Sequence, residues 1–521
     1  MLLWKVRGTR QMLQRLNRDN ILSANQADTE SMGIAFGGAA RMDESGAAVR
    51  IADASFPEPF AQGLEFNAPA HGAWNIVHVG MLVPECHQIY VCADNCMRGV
   101  VLTAAEMGAS DRFSCVLLEE EDLYEGSLET ATIEGITDAL NRILASGDAE
   151  NASASPDGDT VHGKGFPAKE NEYRPRAVAV FLVCLHHFVG TDIGYVYRTL
   201  EERFPDIDFM RCWMDPVMRR SGLTPEQKLK ESMLRPIRSL PVNRKLVCDL
   251  GDNQPLDKDS ELFRVIEKAG FTLFELHDCK TYDDYLEMGA ASLFITRSPS
   301  GIHGVTQLAK RLGRPFLYLP PACGEEEICR ELDTLRKMLG DITSDFQKGE
   351  VCGEKAQAKA CPVKTSPAEA KKALAHALSV IGSTEVTIDH FSTPRPLSLA
   401  RLLLERGFKV TRVYLDAVTP EEEADFKWLQ EHFPDLILNA TVHPKMRVLH
   451  KRESMGQMLA IGPKAAWFGG TSHFVNVVEC GGLWGFSGIR KLASQMEDAF
   501  LHEKDTRSIV PKKGFGCTCV F

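Results

Sequence analysis

No apolar run in this 521-residue sequence reaches the roughly 18 to 20 residues that a membrane-spanning helix needs. The first twenty residues, MLLWKVRGTRQMLQRLNRDN, are basic, but they lack an apolar core and a small-residue cleavage site, so they do not read as a secretory signal. The tail GCTCVF misses the prenylation rule, because Thr518 stands four from the end where a cysteine is required. Cytoplasmic location with no membrane partner is the expectation. Excess positive charge is also missing: the formal net charge is -12, which argues against a chain built to grip nucleic acid. There is no GxSxG elbow, no HExxH pair and no paired CxxC. The stretch GDTVHGKG from Gly158 comes close to a phosphate loop. It lacks the hydroxyl residue after Lys164 and sits outside any strand-to-helix turn, so nucleotide hydrolysis by this chain is not expected.

What is present is an ordinary globular composition, 44% hydrophobic and 25% charged, over a length that suits two to four domains. Fifteen cysteines is a high and odd number, so complete disulfide pairing within one chain is impossible. In a reducing compartment most would be small buried apolar residues, and a few clustered ones could bind metal. The densest group is Cys86, Cys92 and Cys96 in PECHQIYVCADNCMRG, with Cys115 and Cys184 beyond it.

Strand and helix patterns alternate along the chain. AVAVFLVC, ending at Cys184, suits a central parallel strand, and Thr191 or Asp192 can cap the helix after it. Cys184 therefore falls at the carboxyl end of a strand, where open α/β sheets bind ligands. RKLVCDLG, TLFEL, ASLFITRS and RPFLYLPP read as strands of a second unit; EVTIDHF, KVTRVYL, DLILNA and KAAWFGG read as strands of a third. LFRVIEKAGFTLFEL and LARLLLERGFKVTRV share a helix–Gly–aromatic–strand order, a faint repeat of one βαβ unit. The expected architecture is α/β: three Rossmann-like domains with parallel sheets around a central cleft. The expected division is an N-terminal arm (1–60), a first domain (61–240) with a flexible insertion over 145–175, a second domain (241–343), a linker (344–367) and a third domain with tail (368–521). The carboxylate run from Glu119 to Gly126 and the basic segment HPKMRVLHKR read as solvated faces unless a ligand says otherwise.

Taken in order, these segments resemble the nitrogenase component 1 superfamily. VHVGMLVPECHQIY resembles the family stretch ending in a cluster cysteine, which places Cys86 there. FSCVLLEEEDLYEGS resembles an acidic family segment and aligns Glu120, Asp122 and Gly126. FLVCLHHFVGTDI resembles the segment that carries another cluster cysteine, matching Cys184, Gly190, Asp192 and Ile193. GGLWGFSGIRKLASQMEDAF resembles the closing glycine-rich stretch and last helix. The likeness runs from about Phe66 to Phe500.

The resemblance implies an oxidoreductase. It would take electrons from an ATP-hydrolysing iron protein, carry an iron–sulfur cluster of the 4Fe–4S type, and work as a homodimer or with a second component 1-like subunit. Cys86 and Cys184 are the expected metal ligands, with Cys92 or Cys96 standing in for a cysteine replaced near Asn67. Glu120, Gly190, Asp192 and Trp484 are expected at a cofactor. His186 and His187 are expected to tune the cluster or hand protons to a substrate, against the plainer reading of two loop histidines.

Ser298 and Trp484 stand where the family anchors its iron–molybdenum cofactor, so that cofactor and dinitrogen reduction are not expected. A second, unidentified metallocofactor and a small-molecule or tetrapyrrole-like substrate complete the expectation. The alternatives are a scaffold for metallocluster assembly and a binding module without metal.

Overall fold

The computed structural model describes residues 47–60, 76–106, 108–124, 128–148, 174–214, 223–348, 367–416, 418–441, 443, 446 and 457–504. Most of the expected insertion and linker, together with Asn67 and Gly126, lies outside these residues. The described chain forms two compact units. One contains residues 83–214 and 281–283; the other contains 47–60, 76–82, 223–280 and 284–504.

The first unit is built on four parallel strands. After β1 (Ala48–Arg50), which belongs to the second unit, come β2 (Cys86–Cys92), β3 (Phe113–Leu117), β4 (Ala177–Val183) and β5 (Asp208–Met214), in spatial order β3-β2-β4-β5. Every residue of β2 and β4 is buried, as the unbroken apolar run of β4 requires. Side chains alternate between the faces. On one face Ile89, Val91, Val178, Val180 and Leu182 pack under the helices Leu128–Asp148 and Ile193–Arg203. On the other, the Tyr90 ring stacks on Phe181 with centroids 4.4 Å apart and planes 1° apart. Arg112 clamps the start of β2 by donating to the Val83 and Cys86 carbonyls at 2.6 and 3.0 Å.

His87 lies buried in the same strand with Nε2 2.8 Å from Ser114 Oγ. Burial, then the nearby Arg112 charge, holds its imidazole down to about 4. An unfolded imidazole takes up its proton near pH 6.5, so the folded state binds fewer protons in between, and His87 favours folding above pH 6.5. That contribution is lost as pH falls toward 4. About 2 kcal/mol should disappear between pH 7 and 5, and the slope should flatten in His87→Asn, measured by urea unfolding at each pH.

The second unit carries two sheets. The middle sheet is all parallel: β6 (Asn243–Asp249), β7 (Thr272–Glu275), β8 (Ala291–Thr296) and β9 (Phe316–Tyr318), ordered β7-β6-β8-β9. Gly270, at φ 81°, ends the helix Glu261–Lys268 just after the last periodic residue, where the sequence put it. The last sheet holds β10 (Glu385–Asp389), β11 (Lys409–Leu415), β12 (Ile437–Ala440), β13 (Met458–Ile461) and β14 (Phe474–Val475), ordered β1-β12-β11-β10-β13-β14. One continuous buried cluster joins Val247 and Leu293 of the middle sheet, through Leu335 and Leu339, to Ile388 and Leu438 of the last. The three parallel Rossmann-like sheets of the expectation are therefore present.

Two expectations are corrected. Part of the supposed arm is structural, because β1 adds an antiparallel edge strand, with Val49 opposite Leu438. KAAWFGG is not a strand: Pro463–Gly469 is a helix that follows the short strand β13. Pro463 at its first position has a preset φ and no N–H to lose, which starts a helix. A short apolar run cannot by itself tell the two apart.

Candidate functional site at the carboxyl edges of the sheets

In each sheet two neighbouring strands send their following helices in opposite directions, leaving a crevice outside their carboxyl ends where open α/β sheets bind ligands. The crevices lie between β2 and β4, between β6 and β8, and between β10 and β13.

The first crevice holds thiols. Cys92 closes β2, and Cys96 follows in the first turn of the helix Asp94–Glu106. Val91 pairs with Leu182 in register, so Cys184, one residue past β4, sits at the same edge. Cys92 is buried, Cys96 exposed and Cys184 half-buried. Burial, followed by the charges of Cys96 and Asp94, pushes the Cys92 thiol well up.

Cys86 is a different case. It pairs with Ala177 at the opposite end of the same two strands. Seven residues of parallel strand separate that level from Cys184, about 23 Å at the usual rise per residue. Cys86 and Cys184 therefore lie at opposite ends of one sheet, too far apart to share a cluster, which corrects the expected ligand pair. Cys86 is instead a buried core thiol, raised to about 11 chiefly by burial, with Sγ 3.7 Å from the His87 carbonyl oxygen. The thiols at the carboxyl end of this strand are Cys92 and, in the helix that follows, Cys96. Among the described residues, no group of three or more His, Cys, Asp or Glu side chains is arranged to hold a single metal ion.

His186, His187, Gly190 and Asp192 follow Cys184 in the turn that leaves β4. His186 is buried, with Nδ1 3.2 Å from the Val183 carbonyl and Nε2 3.1 Å from Thr132 Oγ1. Burial brings it down to about 4, so the neutral ring donates from Nδ1 and accepts the threonine hydroxyl. With both nitrogens hydrogen-bonded within the protein, the ring holds the Cys184 turn in place. His187 is exposed and lies flat on Trp213, ring centroids 4.0 Å apart. Gly190 closes the turn at φ 70°, and Asp192 caps the next helix by accepting from Tyr195 N at 2.9 Å. Asp192 N itself donates to Glu129 Oε1 at 2.8 Å. Glu120 opens the short exposed helix Glu120–Tyr124. Asp192 is thus a helix cap, and Gly190 supplies a conformation a side chain would resist.

In the second unit the other two crevices are filled by the chain. At β10 and β13, Asp389 accepts from Ala465 N at 2.7 Å and from Ser392 N at 2.9 Å, placing a carboxylate where an outside anion would lie. Burial raises it to about 6. Gly462 faces it at φ 105°, where a Cβ would fall 2.2 Å from Asp389 Oδ1. At β6 and β8, Arg297 donates to Asp249 Oδ2 at 2.7 Å and to the Gln254 carbonyl at 2.8 Å, with Glu275 at 3.5 Å. Ser298 Oγ is 2.8 Å from Ser300 Oγ.

Trp484 is corrected as a cofactor residue. Its indole is buried, and Nε1 donates to the Leu319 and Pro320 carbonyls at 3.2 and 3.1 Å, bolting the last helix to the middle sheet. Trp484→Phe should leave those buried acceptors unpaired and lower unfolding free energy by about 1 to 3 kcal/mol in urea titration. Asp389, Arg297 and their partners escaped the sequence reading; the one local signal was a glycine just past a strand end, Gly251 or Gly462.

No helix among the described residues is long and apolar enough to cross a membrane. No curated protein matches the chain. Two similar solved structures are described as "Nitrogenase Cp1 at pH 6.5" and "Nitrogenase Cp1 at pH 5". The first is 13% identical with a TM-score of 0.52, over 85% of this chain and 95% of that one. The second is 12% identical with a TM-score of 0.50, over 88% and 94%. At such identity the likeness is one of fold. The family model described as "Nitrogenase component 1 type Oxidoreductase" matches residues 169–501, well over half of the sequence, through β4, the Cys184 turn and both sheets of the second unit. The chain belongs to the nitrogenase component 1 type oxidoreductase family.

Proposed function

We propose that the chain is a component 1 type reductase subunit in which Cys92, Cys96 and Cys184 hold an iron–sulfur cluster, of the 4Fe–4S type, at the carboxyl edge of the first sheet. One observation supports this above the rest: Cys92 ends β2, Cys96 lies in the first turn of the helix that follows it, and Cys184 lies one residue past the neighbouring β4, so all three belong to the carboxyl edge of one sheet. Thiolates are the donors such clusters take, and the remaining ligand is assigned to a partner, either a second copy or a second component 1-like subunit. A bound cluster would supply one-electron transfer. His186 fixes the turn that presents Cys184, and Asp192 fixes the helix behind it. His187, exposed beside them, is the group placed to exchange protons with solvent or substrate.

The electron donor in this reading is an ATP-hydrolysing, nitrogenase reductase-like iron protein, and the substrate is a small molecule or tetrapyrrole. Dinitrogen is set aside because the iron–molybdenum cofactor does not fit: Ser298 and Trp484 offer no thiolate or imidazole, and their polar atoms are already hydrogen-bonded to the protein. A second reading, an assembly scaffold without turnover, draws support from the closure of both crevices of the second unit.

Purification without oxygen, with iron, sulfide and the visible spectrum measured before and after reconstitution, tests the cluster. Brown protein containing both elements is expected; a colourless chain that takes up neither overturns the reading. Transfer of labelled iron to an apo-enzyme, without substrate reduction, would select the scaffold.

A further inference from the structure

We propose that the crevice of the middle sheet is an ammonium-binding cage whose resident ligand is the chain's own Lys230. The inference stands apart from the cluster reading, since it concerns the other unit and another kind of ligand.

Lys230 lies in the helix Pro225–Met233, which starts with a capping box at Thr224 and Gln227. Its side chain is 3% exposed and ends at the carboxyl edge of β6 and β8. Nζ is 2.6 Å from the Gly251 carbonyl, 2.6 Å from Ser300 Oγ and 3.1 Å from Glu226 Oε1. An ammonium has three N–H donors and no acceptor, and each donor here meets an oxygen. A second layer holds the cage. Asn253 Nδ2 donates to Glu226 Oε1 at 3.0 Å, and Ser300 Oγ lies 3.3 Å from the same oxygen.

The backbone is shaped to let the amine in. Gly251, at φ 82°, would place a Cβ 2.7 Å from Gly301 Cα. A Cβ on Gly301 would stand 2.5 Å from Thr296 Oγ1, and one on Gly304 would stand 2.9 Å from Glu231 N. Three glycines thus allow the loops and the lysine helix to approach until Nζ reaches the strand ends. A buried charge is tolerated only when fully paired, so this amine needs the whole cage. Filled in this way, the crevice that would otherwise admit a ligand is occupied by a tethered one.

Removing the tether should leave a site for a free amine. Lys230→Ala deletes three carbons and the ammonium, the shape of n-propylammonium. The variant should melt about 5 °C or more below the parent, because Glu226 is left buried without its cation. Tens of millimolar n-propylammonium chloride should recover at least half of that loss. Tetramethylammonium chloride at the same concentration, which has no N–H, should recover none. If the variant folds only on refolding with additives, refolding yield replaces melting temperature, with the same contrast expected.

A lysine acylation experiment on the unaltered protein gives the second arm. Exposed Lys427 should react readily and Lys230 should not react until the chain unfolds. The proposal is overturned if the two salts act alike, if the variant melts with the parent, or if native Lys230 is acylated as fast as Lys427.

Discussion

Cys184→Ala, prepared without oxygen, is expected to retain at least about tenfold less iron and sulfide than the parent at equal supply. Losing a ligating thiol should cost no less than losing an outer-shell partner, which typically costs ten- to a hundredfold in metal affinity. Cys96→Ala should behave similarly, since its sulfur is exposed at the same crevice. Cys86→Ala is the informative contrast. Its sulfur lies at the far end of the sheet, so iron, sulfide and colour should match the parent. The expected effect there is a modest loss of stability, about 1 kcal/mol, from emptying a small volume in a packed core. If Cys86→Ala goes colourless while Cys184→Ala keeps its iron, the crevice assignment fails, whatever the fold.

Arg297→Ala should be the most damaging single change in the second unit. Arg297 is buried and faces Asp249, Asp252 and Glu275, of which Asp249 and Glu275 are themselves buried. Removing one member of such a cluster strands the others, at about 3 to 5 kcal/mol. Part of the pH dependence comes from Glu275, which burial raises to about 7 against the opposing charge of Arg297, and burial raises Asp249 in the same direction. An unfolded glutamate releases its proton near 4.5. The folded protein therefore binds more protons between 4.5 and 7, and Glu275's contribution to stability declines as pH rises through that window. Without Arg297 the carboxyl group should hold its proton to still higher pH, so the variant should be penalised more at pH 8 than at pH 6. Urea midpoints of parent and variant at the two pH values measure this; equal midpoints for both proteins would dismiss the cluster as a surface-like network.

Much of the fold was legible from local pattern. The seven buried residues of β4, the stop at Gly270 and the cap, which falls on Asp192 of the two candidates Thr191 and Asp192, each depend on a few neighbouring residues. The edge strand β1 was not legible, because three residues in a polar, alanine-rich stretch acquire strand character only from pairing with β12. Lys230 was equally silent: one lysine on an amphipathic helix looks solvated until the helix is placed over two glycines seventy residues away.

By itself the sequence determined the alternation of strands and helices, the parallel class of the sheets and the presence of thiols near strand ends, since hydrophobic period and turn chemistry act over a few residues. Which end of a strand each thiol occupies, which imidazole is spent on its neighbours and which crevices are already full were decided only in three dimensions. Those outcomes depend on register and on contacts between segments far apart in the chain, and no local pattern encodes them.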